Sequence, residues 1–570
     1  MLSALLLLAA SLHAATAAAL GAAPRWRPDL RGSKVTRSLR ARSSILGGLG
    51  DGLTPSTVAP NTTIVPLTLA SDKQTYYALS KIGNVNLRLA LDTASADLWV
   101  VSSDCTSSDC DLPRYPLAFE SATFGAVNSN NTAFEISYAD GTGAKGFIAR
   151  ESVSIGNMTV GNQALGLVSS STVPFPDDIS GVLGLGFPRL SSISSAVVNA
   201  TPFFSTMAQS AALSYPVFGL SLTRDSSGSL TFGGIDSSVV NNRTLIEWNE
   251  VVPFAPFSGS SGNSSSYLHW VIGLESISVS GSSITPNPSF PAQTMNTSLA
   301  LIDAGTSGII GPYQDVAQIF SKIESARLVD EDSGQWVVPC EVQDTIAFNF
   351  GGVDFLMQPT DYLIGPASGN PNLCLSWPQG RAPQADGIDW QIGAPFLRTV
   401  YSVFSHGINA KEPPMLGFYS IANATTLTQS TASVAAFLAS NSATVATTLP
   451  NSLLNTPTTF TTPTYTFNTS VSASAGQVFT TGLANATYTP ALNAKSLNAT
   501  RLATLLPSPT AVTLIITDTN GQIVTTVSHA SSTVTLGVIP GWTQSGARAG
   551  RVASTLTAGG AIGVAAAHSP

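Results

Sequence analysis

Two aspartates in repeated surroundings are the residues best suited to chemistry. Asp92 follows the apolar run 89–91 and Asp303 follows the apolar run 299–302, and small and hydroxyl residues typical of a tight turn come after each. A single aspartate after a strand is more often a turn residue than a catalytic one. Because this setting occurs twice, 211 residues apart, the sequence predicts two similar halves with one carboxylate each.

A pair of aspartates that meets between two halves can catalyse hydrolysis. Two carboxyl groups within hydrogen-bond range cannot both ionise cheaply, so they share a proton and titrate together. The ionised group can take a proton from water while the protonated group polarises a carbonyl, which is general acid–base hydrolysis without a covalent intermediate. Ser95 and Thr306 each follow their aspartate by three residues and are expected to hydrogen-bond its outer oxygen.

The elements that must position these residues are predicted to be strands. Between about residues 62 and 426, short alternating runs are interrupted every eight to twelve residues by Gly, Asn, Asp or Ser. Each half also has a later apolar run of similar type, at 181–187 and at 391–396. With 48 glycines and 35 prolines in the chain, a coiled coil or a helical bundle is excluded.

Charge and histidine placement exclude two classes of protein. The 570 residues include 25 Lys or Arg and 33 Asp or Glu, a net charge of −8, which excludes a basic nucleic-acid binder. The five histidines are scattered without ligand spacing, so neither a metal site nor a cofactor is expected. Residues 1–60 hold seven basic and two acidic residues, and the remainder therefore carries −13.

The two ends of the chain predict processing and secretion. Residues 1–23 are typical of a signal peptide, and residues 24–61 are expected to be a basic propeptide that covers an acidic cleft until acidification releases it. Eleven Asn-x-Ser/Thr sequons favour a secreted glycoprotein. Residues 427–570 contain five charged residues and predict a solvated, Ser/Thr-rich tail, with one hairpin around Asn520-Gly521. A tail attached to the cell wall or membrane surface and a released tail both stay open.

Several motifs resemble the pepsin family of aspartic endopeptidases across residues 62–425. They are 92–95 with Trp99, 303–307, and the hairpin pattern at 134–143. The resemblance implies an all-β, bilobal fold with an N-terminal lobe at 62–247, a C-terminal lobe at 248–426 and the active-site cleft between them. It implies the following roles: Asp92 and Asp303 catalytic; Thr93, Ser95, Gly305 and Thr306 supporting; Tyr138, Asp140, Gly141 and Trp99 in the flap and substrate contacts. In the family the flap tyrosine hydrogen-bonds a tryptophan, which here is Trp99.

Four cysteines in a secreted chain allow three disulfide pairings. Cys105 and Cys110 lie close together after the first motif, and Cys340 and Cys374 both fall in the second lobe. Cys105–Cys110 and Cys340–Cys374 are therefore the favoured pairs, and the resemblance implies the same two.

The chain departs from the family at two positions beside the aspartates. Ala94 replaces a glycine, and its Cβ is expected to crowd the pair. Ala304 replaces a threonine or serine, so Thr93 alone is left to link the two loops, at a cost of about 1 kcal/mol. A weak or inactive pepsin-like binding protein, or a surface adhesin carried by the tail, therefore stays open as an alternative.

The resemblance implies a secreted, extracellular, monomeric endopeptidase. It would cleave proteins or peptides at acidic pH and prefer bulky hydrophobic residues around the cut. Asp140 matches an acidic flap position that some fungal members use to accept Lys before the cut.

Overall fold

The computed structural model describes most of the chain between residues 61 and 539. The described ranges are 61–224, 228–253, 267–330, 333–368, 370–382, 384, 386–408, 411–421, 428–441, 445–448, 488–492, 497–507, 511–517, 523–529 and 534–539. The predicted signal peptide, nearly all of the predicted propeptide, the Asn520-Gly521 turn and the sequons at Asn263, Asn423, Asn468 and Asn485 lie outside these ranges.

Strands dominate the described residues, which confirms the all-β prediction. The first half contains β1 (Thr63–Leu69), β2 (Tyr76–Ile82), β3 (Val85–Asp92), β4 (Leu98–Val101), β5 (Gly125–Ala126), β6 (Ala133–Ser137), β7 (Gly143–Ile155), β8 (Met158–Ser171), β9 (Ile179–Gly184), β10 (Val217–Ser221), β11 (Gly228–Phe232), β12 (Gly234–Asp236) and β13 (Glu247–Glu250). The second half contains β14 (Val271–Leu274), β15 (Ser276–Val279), β16 (Ser282–Ile284), β17 (Ser298–Ile302), β18 (Ile309–Pro312), β19 (Arg327–Asp330), β20 (Gln335–Pro339), β21 (Ile346–Phe350), β22 (Val353–Met357), β23 (Leu363–Ser368), β24 (Asn370–Ser376), β25 (Gln379–Arg381), β26 (Trp390–Ile392), β27 (Val400–Ser405) and β28 (Met415–Ser420).

Short α-helices and a few later strands accompany these elements. The helices are α1 (Ser192–Ala196), α2 (Phe203–Gln209), α3 (Tyr313–Ser321), α4 (Pro359–Tyr362), α5 (Ala394–Leu397) and α6 (Thr431–Asn441). The later strands are β29 (Val445–Thr448), β30 (Ala503–Leu505), β31 (Ala511–Thr517) and β32 (Ile523–His529). β31 and β32 pair in antiparallel fashion, as the hairpin pattern predicts. None of the described helices combines the length and apolar character that crossing a membrane requires.

Both halves contain the same three-stranded arrangement, which confirms the internal repeat. In the first half β9 runs parallel to β3 and antiparallel to β4. In the second half β26 runs parallel to β17 and antiparallel to β18. Asp92 is the last residue of β3, and Asp303 directly follows β17. The matching topology therefore places each aspartate at the end of the equivalent strand in its half, β3 or β17.

One sheet joins the two halves. β27 and β28 come from beyond the second aspartate, yet β27 pairs with β10 of the first half, with Val217 opposite Ser405. The lobes are thus connected by continuous backbone hydrogen bonding. The lobe boundaries at 247 and 426 remain predictions.

Apolar side chains bury β3 on both of its faces. Leu87, Leu89 and Leu91 point into the main core, and Ala90 packs in a second cluster that contains Trp99. Alternation along a strand sends neighbouring side chains to opposite faces, so a run that is apolar throughout is covered on both. This burial fixes the end of β3, where Asp92 lies.

Part of the C-terminal segment packs against the body, so the prediction of a solvated tail is wrong for residues 488–492 and 497–507. β30 pairs in parallel with β12, and the side chains of Leu492 and Leu502 are fully buried. The buried carboxylate of Glu412 accepts hydrogen bonds from the backbone N–H groups of Ala491 and Leu492, at 2.8 and 2.7 Å. The low charge of the segment indicated a solvated tail, but a few of its leucines are buried against the apolar surface of the body.

Both expected disulfides are present. Cys105 is bonded to Cys110, and Cys340 is bonded to Cys374. Within the ranges described above, no group of three or more His, Cys, Asp or Glu side chains could hold a metal ion.

Candidate active site

The two aspartates predicted from the repeat meet at one glycine. A Cβ built on Gly305 would lie 2.9 Å from Asp92 Oδ1 and 3.3 Å from Asp303 Oδ1. Both carboxyl groups therefore lie against the same backbone position, although 211 residues separate them in the chain. Only glycine leaves enough room there for the pair to approach.

Asp92 is held by the turn that follows it. The backbone N–H groups of Ala94 and Ser95 donate to Oδ1 at 2.9 and 3.2 Å. The Ser95 hydroxyl donates to Oδ2 at 2.5 Å, as the three-residue spacing predicts. The Ala94 amide thus donates to Asp92 despite the added Cβ.

Asp303 is held by an equivalent turn and by further donors. The Gly305 N–H donates to Oδ1 at 2.9 Å, and the Thr306 hydroxyl donates to Oδ2 at 2.6 Å. The Thr93 hydroxyl lies 3.3 Å from Oδ1, and the Gln391 amide lies 3.4 Å from Oδ2. Asp303 therefore has the Thr306 hydroxyl and the Gln391 amide as side-chain donors, whereas Asp92 has the Ser95 hydroxyl and one more backbone donor.

A single hydroxyl links the two aspartate loops. Thr93 Oγ1 donates to the carbonyl of Ile302 at 3.1 Å and accepts from the Ala304 N–H at 2.9 Å. Ala304 has no hydroxyl with which to make the reciprocal contact. The link is one-sided, as the sequence predicts, and it is fully buried at Thr93.

Burial changes the protonation of Asp92. Loss of solvent raises the pKa of Asp92 to about 7, and the negative charge of Asp303 acts in the same direction. Hydrogen bonds from Ser95 and from the backbone of Ala94 only partly offset this increase in pKa. Burial and the charge of Asp303 thus both favour the protonated form of Asp92.

The predicted flap is a hairpin of β6 and β7 with Tyr138 at its tip. The Tyr138 N–H donates to the Thr142 carbonyl at 2.8 Å, and Gly141 turns the chain with a φ of 85°. Trp99 Nε1 donates to the Tyr138 hydroxyl at 2.8 Å, which is the hydrogen bond that the resemblance implies. Burial, followed by the charge of Asp92, raises the pKa of Tyr138, so this hydroxyl stays neutral.

Asp140 lies exposed in the flap turn. Its Oδ1 accepts from the backbone N–H and the hydroxyl of Thr142, at 2.9 and 2.7 Å. These contacts stabilise the turn and leave Oδ2 available toward solvent or substrate.

Two polar residues of this region have no part in the sequence prediction. Gln391 follows Trp390 in β26 and contacts Thr306 as well as Asp303. Asp97 is buried and accepts from the hydroxyls of Ser191 and Ser192 at 2.5 and 2.7 Å. In each case the available signal was a polar residue inside an otherwise apolar run.

Comparison with known proteins agrees with this geometry. Residues 75–411 match the family model described as eukaryotic aspartyl protease. The chain is 30% identical over 333 residues to an aspartic protease of Phaffia rhodozyma, an alignment that covers 57% of this chain and 72% of that protein. It is 27% identical over 350 residues to major aspartyl peptidase 1 of Cryptococcus neoformans, covering 58% and 64% of the two chains.

A vertebrate relative gives a similar result. The chain is 30% identical over 346 residues to cathepsin E of Oryctolagus cuniculus, with 59% of this chain and 78% of the relative covered. The family match spans more than half of the chain and contains both aspartates and the flap. The chain therefore belongs to the eukaryotic aspartyl protease family and is an aspartic-type endopeptidase.

Proposed function

We propose that the chain is a secreted endopeptidase that cleaves proteins or peptides at acidic pH, with Asp92 and Asp303 as its catalytic pair. The observation that carries this proposal is the position of both carboxyl groups against Gly305. The pKa of Asp92, raised to about 7 by burial and by Asp303, supports a singly protonated pair in acid.

In the proposed mechanism a water molecule lies between the two carboxyl groups. Asp303 removes a proton from the water as it attacks the peptide carbonyl, and Asp92 donates its proton to the carbonyl oxygen. The tetrahedral intermediate collapses when Asp303 gives its proton to the departing nitrogen and a hydroxyl proton returns to Asp92. The C–N bond breaks, and both aspartates recover their starting protonation.

The surroundings of the pair support a preference for bulky hydrophobic residues. Ala94 packs against an apolar cluster that includes Leu301 and Leu268. Tyr138, held by Trp99, offers an aromatic surface from the flap. Asp140 would attract a Lys side chain before the cut, because its carboxylate is exposed at the flap turn.

The proposal includes the processing and location of the chain. Residues 1–23 would direct secretion and residues 24–61 would keep the zymogen inactive until acidification. Two disulfides and exposed sequon asparagines such as Asn157, Asn199 and Asn296 support an extracellular glycoprotein. For the end of the chain, the proposal includes both alternatives, attachment to the cell surface and release.

Acid activation of the purified full chain tests the function. We expect cleavage of a denatured protein at about pH 3 to 5, blocked by a statine inhibitor that mimics the tetrahedral intermediate. Asp303→Asn and Asp92→Asn should each remove this cleavage while the proteins still unfold cooperatively. If wild type shows no inhibitor-sensitive cleavage after acid treatment, or if Asp303→Asn equals wild type, the catalytic proposal is refuted and a binding role is favoured.

A further inference from the structure

The repeated strands allow the two aspartates to be compared position by position. In the first lobe Val182 of β9 lies opposite Ala90, two residues before Asp92. In the second lobe Gln391 of β26 lies opposite Leu301, two residues before Asp303. Val182 and Gln391 thus occupy equivalent places. The first is buried and apolar, whereas the second brings a hydrogen-bonding amide to its aspartate.

The Gln391 amide contacts two groups, the outer carboxylate oxygen of Asp303 and the hydroxyl of Thr306. Its Nε2 lies 2.5 Å from Thr306 Oγ1 and 3.4 Å from Asp303 Oδ2. Thr306 in turn donates its own proton to Asp303 Oδ2 at 2.6 Å. A hydroxyl that accepts a hydrogen bond from an amide is oriented to donate in the opposite direction. Gln391 therefore locks the Thr306 proton toward Asp303.

The Asp92 side has a hydroxyl but no equivalent amide. Ser95 donates to Asp92 as Thr306 does to Asp303. The residue in the place of Gln391 is Val182, whose side chain has no donor. The side-chain difference between the lobes is therefore the Gln391 amide on the Asp303 side, whereas Asp92 has one more backbone donor, the Ser95 N–H at 3.2 Å.

We propose that Gln391 is a positioning residue that makes the two aspartates unequal, by holding the Thr306 hydroxyl as a donor to Asp303. Donors directed at a carboxylate stabilise its charged form, so the negative charge of the pair stays on Asp303. The shared proton stays on Asp92, the titratable group that faces Asp303 in this site. The inference rests on the catalytic roles proposed above.

Loss of the Gln391 amide should change the acidic limb of the pH profile of kcat/KM. Without the amide, Thr306 is free to rotate away and the charged form of the pair is less stable. The acidic limb of kcat/KM for Gln391→Leu should move to higher pH by about half to one unit, because one weak donor is lost. Activity below that limb should fall by about threefold to tenfold. KM should change little, because Gln391 itself does not contact substrate in this proposal.

The experiment compares three variants of the full, acid-activated chain. Gln391→Leu removes the amide and gives the second lobe an apolar residue like Val182. Gln391→Met keeps the length of the side chain but has no N–H donor, so its limb should move about as far as that of Gln391→Leu. Gln379→Leu is the matched control, because Gln379 lies in β25 of the same sheet and donates to Gln335 rather than to a carboxylate.

Active sites are counted by titration with a tight-binding statine inhibitor, and kcat and KM are measured from about pH 2 to 7. A displaced acidic limb in both Gln391 variants, with Gln379→Leu like wild type, supports the inference. Unchanged limbs in the Gln391 variants overturn it, and so does an equal displacement in Gln379→Leu. If Gln391→Leu does not fold, the Gln391→Met profile decides. Failure of the proposed function is distinct, since wild type itself would then lack inhibitor-sensitive cleavage.

Discussion

Four leucines of the C-terminal segment test whether this segment is part of the folded protease. Leu492 and Leu502 are 0% and 1% exposed, whereas Leu497 and Leu506 are 45% and 73% exposed. All four lie within fifteen residues of sequence. Substitution of each by alanine changes the same side chain in two environments.

The structure sets the size of the expected effect. Removing a buried leucine side chain costs the free energy of transfer and that of the remaining cavity, together about 3 kcal/mol with a range of about 2 to 5. We therefore expect Leu492→Ala and Leu502→Ala each to lower the free energy of unfolding by about this amount. Leu497→Ala and Leu506→Ala should stay within about 0.5 kcal/mol of wild type. The backbone contact between Leu492 and Glu412 is retained in the alanine variant, so the side chain is tested separately.

Urea unfolding followed by tryptophan fluorescence measures this difference. The buried Trp99, Trp270, Trp336 and Trp390 report the body rather than the segment. Midpoint and slope are both needed, because an altered slope would mean that the segment detaches before the body unfolds. Limited proteolysis under native conditions then detects such detachment.

Equal free energies of unfolding for all four variants would refute the claim that the C-terminal segment packs against the body. The C-terminal residues would then behave as the solvated tail that composition alone suggests. Destabilisation by Leu497→Ala or Leu506→Ala equal to that by Leu492→Ala would also contradict the structure, because it would not follow burial.

Three other predictions concern the site and its pH response. Gly305→Ala places a Cβ 2.9 Å from Asp92 Oδ1. In steady-state kinetics, kcat should therefore fall by at least about tenfold while KM changes less. An unchanged kcat would contradict the close approach of the two carboxyl groups to Gly305. Ala304→Ser supplies the missing hydroxyl beside Thr93, and urea unfolding should show about 1 kcal/mol of added stability; no gain would mean that the reciprocal hydrogen bond does not form. His406 packs among aromatic rings, and burial lowers its pKa from 6.5 to about 3. The stability that comes from its neutral form is therefore fully present above pH 6.5 and is lost as the pH falls toward 3. From pH 6.5 to about 4, His406→Phe should therefore lose about 3 kcal/mol less stability than wild type, and parallel losses in the two proteins would contradict the assignment.

The aspartate pair could be predicted because its signals are local and repeated. Asp92 and Asp303 each end an apolar run and precede a tight turn, and the repeat converts two weak signals into one strong signal. The hairpin of β31 and β32 was predictable for a similar reason, since alternation along strands is visible in sequence. The contact of Tyr138 with Trp99 came from the family resemblance rather than from either residue alone.

The packed C-terminal segment and Gln391 could not be predicted in this way. Burial of Leu492 depends on a surface near Glu412, and burial of Leu502 depends on a surface near Arg243; both surfaces are distant in sequence and have no periodic pattern. Gln391 is one polar residue in a short apolar strand, and sequence does not indicate which way its amide points. Both features depend on tertiary complementarity, which short-range periodicity does not contain.

The side chains near the pair are distributed unequally between the two aspartates. Ala304 removes a hydroxyl from the loop of Asp303, where it would face the loop of Asp92, while Thr93 keeps its hydroxyl within 3.3 Å of Asp303. Gln391 then adds an amide on the Asp303 side. Side-chain donors therefore lie mainly on the Asp303 side, although Asp92 has a second backbone donor in the Ser95 N–H and burial raises its pKa to about 7. A pair with matched neighbours would distribute its single proton more evenly, so this asymmetry supports the proposed roles, with Asp303 as the base and Asp92 as the acid.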